Sequence, residues 1–561
     1  MEKAGRSIKW FLMFGNDKES EAQSLTRKSF LRDIKLIVNS EKLLIIILLV
    51  YYFFNIFVWS QLQEVELSRF VYDDAFYYLV LAQNRAYLGF WTFDGETTTT
   101  GFHLLHAFVL VGLFQINPSF ALMEVFLIVS TITALSLVLL FYFVIRLSKI
   151  LGIRSSLRTA LLIPFILPST LKLVPGMMES WAVLLFAGCI LCLVFLKPLF
   201  RLSGPLSGLL GILGVFGRSD FILFGFILVC SCFITLYFFQ DGYLRRNISM
   251  FASGLILGQI LLTIYVYSQS GSFVQQSVSI KRYWSDLINN PIELATAHYL
   301  NSFFLFDFTA SNLNTLKIGT GLLTLAFLYI CFSLRKKMIA FSEEQVKIFL
   351  IATLFIGAFS IAVIAFYRLG SWSLQPWYVA SYFPGVIMSW VLAIAWISRI
   401  KVRFAKVLPS VFFIVLLASA FKSQAFASSS VQSPTAYYAT QLKQEDSDVR
   451  IGSWNAGTLS YYSERRIINL DGLMNNEVHS YTIRRQLLDY LAQNEINRIM
   501  DFEGVFRDKK SRERNGFLLL PFLNCIKSLK YIPTPEPFRS SVGRFVDISL
   551  KPSCLKNDSN N

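Results

Sequence analysis

The sequence predicts a polytopic α-helical membrane domain followed by a smaller soluble α/β domain, and three observations carry that expectation. The chain is 54% hydrophobic and only 16% charged over 561 residues, whereas a soluble domain has about a quarter of its residues charged. Apolar runs of about 20 residues recur along most of the chain, the length at which a helix crosses a bilayer. From about residue 428 these runs give way to strand-like pieces ("VRIGSW", "RRIINLD", "NRIMDFE") around a helical stretch ("SYTIRRQLLDYLAQN"), the alternation of a small α/β unit.

Residues 1–42 form a basic leader with Lys3, Arg6, Lys9, Arg27, Lys28, Arg32, Lys35 and Lys42. The first apolar run lies too far in for a cleaved signal peptide, so it reads as a retained signal anchor. A membrane domain over 43–427 follows, with eleven spans expected at roughly 43–60, 119–145, 159–175, 179–196, 203–217, 221–240, 248–268, 315–334, 346–367, 377–398 and 404–426. Counting 102–116 would make twelve and would put Arg146–Arg158, with four basic residues and no acid, on the outer side. Treated as an interfacial or re-entrant segment of the first outer loop (61–116), it leaves every basic loop inside: Arg146–Arg158, Lys197–Arg201, Arg245–Arg246, Arg335–Lys337 and Arg399–Lys406. The odd number of spans then places the soluble domain, 428–561, outside.

The net charge of +16 is spread over these loops and forms no basic stripe with interleaved aromatics, so nucleic acid is excluded as a partner. Cys189, Cys192, Cys230, Cys232 and Cys331 lie in apolar runs and read as packing residues. Cys525 and Cys554 lie in the soluble domain, where an oxidising compartment would let them pair.

Polar chemistry gathers on the outer side. The first outer loop contains "YDDAFYYLVLAQNRAYLGFWTFDGETTTTGFH", Tyr72 to His103. On a helix, Asp73, Tyr77 and Asn84 fall near one face and Asp74, Tyr78 and Arg85 on the neighbouring one; Asp94-Gly95 then supplies a turn. A carboxylate at the membrane boundary can deprotonate a hydroxyl, with a pKa raised by partial desolvation. The pair Asp73 and Asp74 could instead hold a divalent cation such as magnesium or manganese, or simply cap a helix. Glu179 stands at the outer mouth of a span, and Arg218 and Asp220 bracket the start of another. Lys281, Arg282 and Arg368 also sit outside, against the inside bias of basic residues, and suit an anionic phosphate; snorkelling is the plainer account of each alone. His103 and His106 flank an apolar turn and read first as structural. Neither HExxH nor a P-loop occurs.

These stretches resemble the GT-C superfamily of membrane glycosyltransferases. More closely they are similar to a bacterial branch whose first outer loop reads like DDAYYYLVLARN…G…FDG…TNGFHPLW. The matching pieces here are "DDAFYYLVLAQNRAYLGFWTFDGETTTTGFHLLH", "GMMES" (Gly176 to Ser180), "GRSD" (Gly217 to Asp220), "GSFVQQSVSIKRYW" (Gly271 to Trp284), "QPWY" (Gln375 to Tyr378) and "GSWNAGTLSYYSERRIINLDGLMNN" (Gly452 to Asn476). Two departures lie beside the presumed site: Leu104-Leu105 in place of Pro-Leu, and Gln275-Gln276 in place of a leucine-proline pair.

The resemblance implies a hexosyl- or pentosyltransferase of a bacterial inner membrane. It would move a sugar from a polyprenyl-phosphate donor to a glycan, lipid or protein hydroxyl on the periplasmic side, with inversion. Asp74 or Asp73 would be the base; the sequence does not say which faces inward. Lys281, Arg282, Arg218 and Arg368 would receive the donor phosphate, and Tyr77, Asn84, His103, Glu179, Asp220, Gln375, Trp377, Tyr378 and Asp471 would line the substrate site. The outer domain is expected to cover the opening, with the turn Asn469–Asn476 nearest the acceptor. The rival readings are a transporter or flippase for a lipid-linked glycan, which calls for ionisable groups at mid-membrane and internal repeats, and a non-catalytic envelope assembly factor with replaceable carboxylates.

Overall fold

The computed structural model describes residues 41–197, 202–288, 342–370, 376–399, 432–445, 449–507, 509–516, 519–533 and 544–555. Among these, six helices are long and apolar enough to cross a bilayer: Glu41–Ser60, Leu122–Ile150, Phe221–Phe238, Gly242–Ser270, Glu343–Ala362 and Val379–Trp396. The chain is a multi-pass membrane protein. The expected spans at 315–334 and 404–426 lie outside the described residues.

Leu104–Ile116 is a helix of 13 residues, about 20 Å long and too short for a hydrocarbon core of about 30 Å. It packs on the loop helix Asp73–Leu88. The span expected at 159–175 is not one helix. The chain runs there as short pieces, Ser155–Arg158, Thr159–Leu162, Ile163–Ile166 and Pro168–Leu171. Pro168 disfavours the helical region for the residue before it, and Leu167 is extended with ψ 148°. The carbonyls freed by this break are satisfied from the side. Thr170 Oγ1 donates to Pro164, Tyr52 Oη to Phe165 and Tyr51 Oη to Ile166, as an irregular backbone at membrane depth requires.

Ser203–Gly217 is short, but it lies flush against Gly242–Ser270. A Cβ on Gly254 would come within 2.0 Å of the Gly208 carbonyl oxygen, the close approach that small residues permit between membrane helices.

Ion pairs separate the two ends of the bundle. At one end Glu41 holds Lys149 at 2.6 Å and Arg158 at 2.8 Å, and Lys197 holds Asp241 at 2.7 Å and Glu344 at 2.9 Å. Arg399 donates to the Leu151 carbonyl at this same end. Among the described residues, Lys149, Arg158, Lys197 and Arg399 from three of the basic loops therefore share one end. Asp74, Glu179, Arg218, Lys281 and Tyr378 meet at the other.

The C-terminal region builds a five-stranded sheet: β1 (Ile451–Ser453), β2 (Ile467–Asn469), β3 (Arg498–Phe502), β4 (Ile526–Ile532) and β5 (Phe545–Leu550), in the order β2-β1-β3-β5-β4. β1 runs parallel to β2 and β3, while β5 is antiparallel to β3 and β4. β1 and β2 are fully buried, as parallel strands covered on both faces are. The covers differ. Ile451, Ile467, Met500, Phe502 and Phe545 belong to one continuous core with the membrane helices. Ile468, Ile499, Val546 and Ile548 pack with Val478, Leu487 and Leu491 in the domain's own core. The expected helical stretch forms as Val478–Arg484 and Leu487–Gln493, parted at Arg485, whose φ is 59°. Cys525 and Cys554 form a disulfide.

Candidate functional site

The loop helix begins with its two carboxylates in the first turn, where the helix dipole favours negative charge. Adjacent residues diverge by about 100° on a helix, and the two take different partners. Asp73 points at the outer domain: its Oδ1 accepts from the Thr458 amide at 2.9 Å and from Thr458 Oγ1 at 2.7 Å. Asp74 faces a small cavity of about 30 Å³ and accepts no hydrogen bond among the described residues.

Five separate segments wall this cavity. The first outer loop gives Asp74, Tyr77, Tyr78, Gly101 and His103, and the turn before Ser180 gives Met178 and Glu179. The helix Gln276–Ile288 gives Ser277 and Lys281, the stretch before Val379 gives Trp377 and Tyr378, and the outer domain gives Leu473 and Met474. At Gly101 the loop and the C-terminal domain pack closely: a Cβ there would lie 1.7 Å from the Leu473 carbonyl oxygen. The run "TTTTGF" is also tied to the helix Gln276–Ile288. Gln275 Nε2 donates to the Phe102 carbonyl at 3.0 Å, and the Gln276 amide reaches Thr100 Oγ1 at 3.4 Å. The two glutamines that depart from the motif thus make the contacts that seat this helix.

The electrostatics follow from burial and neighbours. Burial pushes the Asp74 carboxyl up to about 7; Lys281 and Arg218 pull it down, while Asp73 and Glu179 add to the rise. Lys281 Nζ donates to Tyr378 Oη at 2.7 Å. Burial disfavours its charge, but Tyr378 and Asp74 outweigh that and hold its pKa above the ordinary lysine value.

Arg218 is buried between two acids: it pairs with Glu179 Oε1 and forks onto Asp220 at 2.9 and 2.8 Å. Its guanidinium also lies over the Tyr378 ring, 4.9 Å from the centroid. Ser381 Oγ donates to Asp220 at 3.0 Å. Burial alone would raise the pKa of Glu179 and of Asp220, but Arg218 holds both below the usual carboxylate range. Glu179 Oε2 is buried without a hydrogen bond among the described residues. His103 Nε2 stands 3.6 Å from Glu179 Oε1, and burial drives its pKa down to about 4, so it is neutral at pH 7.

The structure brings Asp74, Tyr77, His103, Glu179, Lys281, Trp377 and Tyr378 to one cavity, with Arg218 and Asp220 directly behind it. Tyr77 has its hydroxyl fully engaged, donating to the Trp454 carbonyl and accepting from the Ala456 amide and Asn469 Nδ2. Asp471 sits beside the wall, accepting from the Leu473 amide at 2.7 Å, and burial pushes it up to about 7. Asn84 is elsewhere, bonding the Thr92 and Phe93 carbonyls. Arg282 is exposed and not among the lining residues. Arg368 lies near the end of the helix Glu343–Gly370 with its side chain outside the described residues, as is Gln375.

Sequence reasoning did not name Tyr78, Gly101, Met178 or Ser277 as lining residues, while Leu473 and Met474 lie in the turn Asn469–Asn476 that it placed nearest the acceptor. Ser277 was within reach, because it stands four residues before Lys281 and so shares its helix face. Among the described residues no group of three or more His, Cys, Asp or Glu side chains is placed to hold a metal ion. Asp73 and Asp74 turn to different partners, so they do not form a chelating pair.

Residues 427–527 match a family model described as a domain of unknown function (DUF8728). No curated protein matches the chain. Among solved structures it is similar to ArnT from Cupriavidus metallidurans bound to undecaprenyl phosphate, at 12% identity and a TM-score of 0.49, covering 91% of this chain and 98% of that one. It is also similar to the oligosaccharyltransferase of Archaeoglobus fulgidus in the apo form, at 12% identity and a TM-score of 0.45, covering 77% of this chain and 66% of that one. The same archaeal enzyme in complex with zinc and sulfate matches at 14% identity and a TM-score of 0.41, over 77% of this chain and 64% of that one.

Proposed function

We propose that the chain is a GT-C-type membrane glycosyltransferase that moves a sugar from a polyprenyl-phosphate donor to an acceptor hydroxyl. The single observation that supports this best is the meeting at one cavity of Asp74, a carboxylate with no hydrogen bond among the described residues, and the charged amine of Lys281. A base poised near the operating pH combines the right protonation state with proton-transfer drive, and Asp74 has a pKa of about 7.

In this proposal the acceptor oxygen attacks the anomeric carbon as Asp74 takes its proton. The bond from that carbon to the phosphate oxygen breaks, and the polyprenyl phosphate leaves with the electron pair. Inversion follows from a single displacement. The leaving group is already a stable anion and needs positive charge rather than a proton. Lys281 is the cation assigned to it, with Arg282 and Arg368 as further candidates at the outer surface. Arg218 donates to both Glu179 and Asp220, and the part given to it here is to keep those carboxylates charged and fixed. Glu179 Oε2, with no partner among the described residues, is an acceptor for a sugar hydroxyl.

A divalent ion, if one is used, has no chelating pair in Asp73 and Asp74, and no step here is routed through it. A cavity of this size holds a water or two, so the wall must part to admit a sugar.

The domain assignment belongs to the same proposal: a basic leader over 1–42, a membrane domain over 43–427, and a soluble domain over 428–561 on the extracytoplasmic, periplasmic side of a bacterial inner membrane. The disulfide Cys525–Cys554 suits an oxidising compartment.

The test is full-length protein in nanodiscs, given a panel of hexosyl and pentosyl polyprenyl phosphates with candidate glycan, lipid and protein acceptors. Release of polyprenyl phosphate coupled to acceptor glycosylation is expected, with Asp74→Asn lowering turnover by about 10²–10⁴-fold. Movement of an intact lipid-linked sugar across the bilayer without glycosylated product would overturn the proposal in favour of a flippase. Full activity of well-folded Asp74→Asn would remove the mechanism.

A further inference from the structure

Asp73, one residue before the proposed base, is turned away from the cavity, and what it holds is the start of an outer-domain helix. The helix Ala456–Ser463 has Asn455 at its N-cap, yet no side chain of its own segment caps it. The first amides of a helix have no partners within it and need them from elsewhere. Here two side chains of the loop helix, spaced four residues apart and so on one face, supply them. Tyr77 Oη accepts from the Ala456 amide at 3.0 Å, and Asp73 Oδ1 accepts from the Thr458 amide and hydroxyl. The Gly457 amide also bonds the Asp73 carboxylate. Gly457 makes the approach feasible, since a Cβ there would stand 2.5 Å from the Asp73 carbonyl oxygen.

We infer that Asp73 is a positioning residue: its carboxylate caps the outer-domain helix Ala456–Ser463 from the neighbouring segment and so fixes the direction in which Asp74 faces the cavity. This rests on the reading of Asp74 as base. The same turn of helix carries both carboxylates, so rotation that brings Asp73 off Thr458 carries Asp74 off its line to Lys281. The outer domain therefore does more than roof the site; its seating sets the aim of the base. A displacement of about 1 Å in a reacting group can cost 10²-fold in rate.

The experiment uses full-length protein in nanodiscs with the donor and acceptor that turn over in the panel. Asp73→Asn keeps an oxygen that accepts from Thr458, so turnover near the wild-type maximum and unchanged hydrogen–deuterium exchange over 454–460 are expected. It also removes a negative neighbour of Asp74. The groups facing Asp74 are Asp73, Lys281, Glu179, Arg218 and Asp471, with neutral His103 and the hydroxyls of Tyr77, Tyr78 and Tyr378. With one acid gone and the rest unchanged, the acid limb of the kcat/KM profile moves to lower pH, which a purely structural cap would not do. Asp73→Ala is expected to lose about 10- to 100-fold in kcat with little change in donor KM, and to exchange faster over 454–460. Gly457→Val, which leaves every acid in place, is expected to do the same.

Asp73→Asn as inactive as Asp74→Asn at every pH would overturn the inference, because the carboxylate charge itself would then be needed. Unchanged exchange and turnover in both Asp73→Ala and Gly457→Val would also overturn it. Full activity in Asp74→Asn would defeat the assignment of the base instead, while the exchange data would still judge the cap.

Discussion

Replacing Arg218 by methionine keeps the unbranched stem of the side chain and removes the guanidinium that lies between Glu179 and Asp220. The side chains of Arg218, Glu179 and Asp220 are 4%, 1% and 12% exposed. Removing one partner of a buried ion pair costs about 3–5 kcal/mol, because the remaining charge is left uncompensated. The two acids do not share this equally. Asp220 retains the Ser381 hydroxyl at 3.0 Å, whereas Glu179 retains its own backbone amide and the neighbouring His103 and His106 rings, with no partner for Oε2 among the described residues. Most of the cost therefore falls on Glu179.

The pH dependence has a definite sign. In the wild type, Arg218 depresses both carboxyl pKa values; that contribution is present above the unfolded value of about 4 and is lost as pH falls through the folded values. In Arg218→Met the largest opposing influence is gone, and burial, the strongest of those that remain, raises the same pKa values. The folded variant then binds protons more tightly than the unfolded chain and gains relative stability as pH falls. The gap between the proteins should be about 3–5 kcal/mol at pH 8 and shrink towards pH 5. Unfolding in mixed micelles with rising dodecyl sulfate, followed by tryptophan fluorescence at pH 8, 6.5 and 5, measures it. Adding Glu179→Gln should recover more than adding Asp220→Asn. A gap below about 1 kcal/mol, or one equal at all three pH values, would refute the reasoning.

Two further outcomes are expected. Lys281→Met removes the cation that most lowers the Asp74 pKa, so the acid limb of kcat/KM should move above its wild-type position near pH 7 and donor KM should rise; an unmoved profile would separate Lys281 from the base. Gly101→Ala should lower the thermal midpoint and loosen the outer domain in hydrogen exchange, because its Cβ meets the Leu473 carbonyl at 1.7 Å, while Gly112→Ala, with nothing within 4 Å, should be neutral. Equal midpoints for the two variants would show that the loop and the outer domain are not in contact there.

The parts of the fold that can be read from the sequence are those whose burial is written in local pattern. β1, β2 and β3 stand out as short strand-like pieces between turns, and the structure buries nearly all of their residues. β4 escapes notice because it is an exposed edge strand carrying Lys527 and Lys530, the charged character by which edges avoid pairing. The run at 159–175 looks like a span by composition, and only the side-chain hydroxyls of Tyr51, Tyr52 and Thr170 explain how it survives broken. Within the site, residue type and position between the apolar runs point to the pair Asp73 and Asp74, to Glu179 and to Lys281. Their distances depend on five segments separated by up to about 400 residues of chain, which no local pattern encodes. The different orientations of Asp73 and Asp74 are equally non-local, since Thr458 lies 385 residues away.

The broken segment at Ser155–Leu171 also bears on how the molecule is assembled. A continuous helix enters lipid with its backbone already self-satisfied; this one cannot. Its Phe165 and Ile166 carbonyls depend on hydroxyls from Glu41–Ser60, a helix more than 100 residues upstream. Because synthesis runs from the N-terminus, that helix has already left the ribosome and been handed to the bilayer when the broken piece emerges. Chain order thus works as a schedule, in which an early, self-sufficient span waits as the docking post for a later, dependent one. A circular permutation that moved Glu41–Ser60 to the C-terminus would preserve every contact of the finished protein and yet deprive the broken piece of its partner at the moment of insertion.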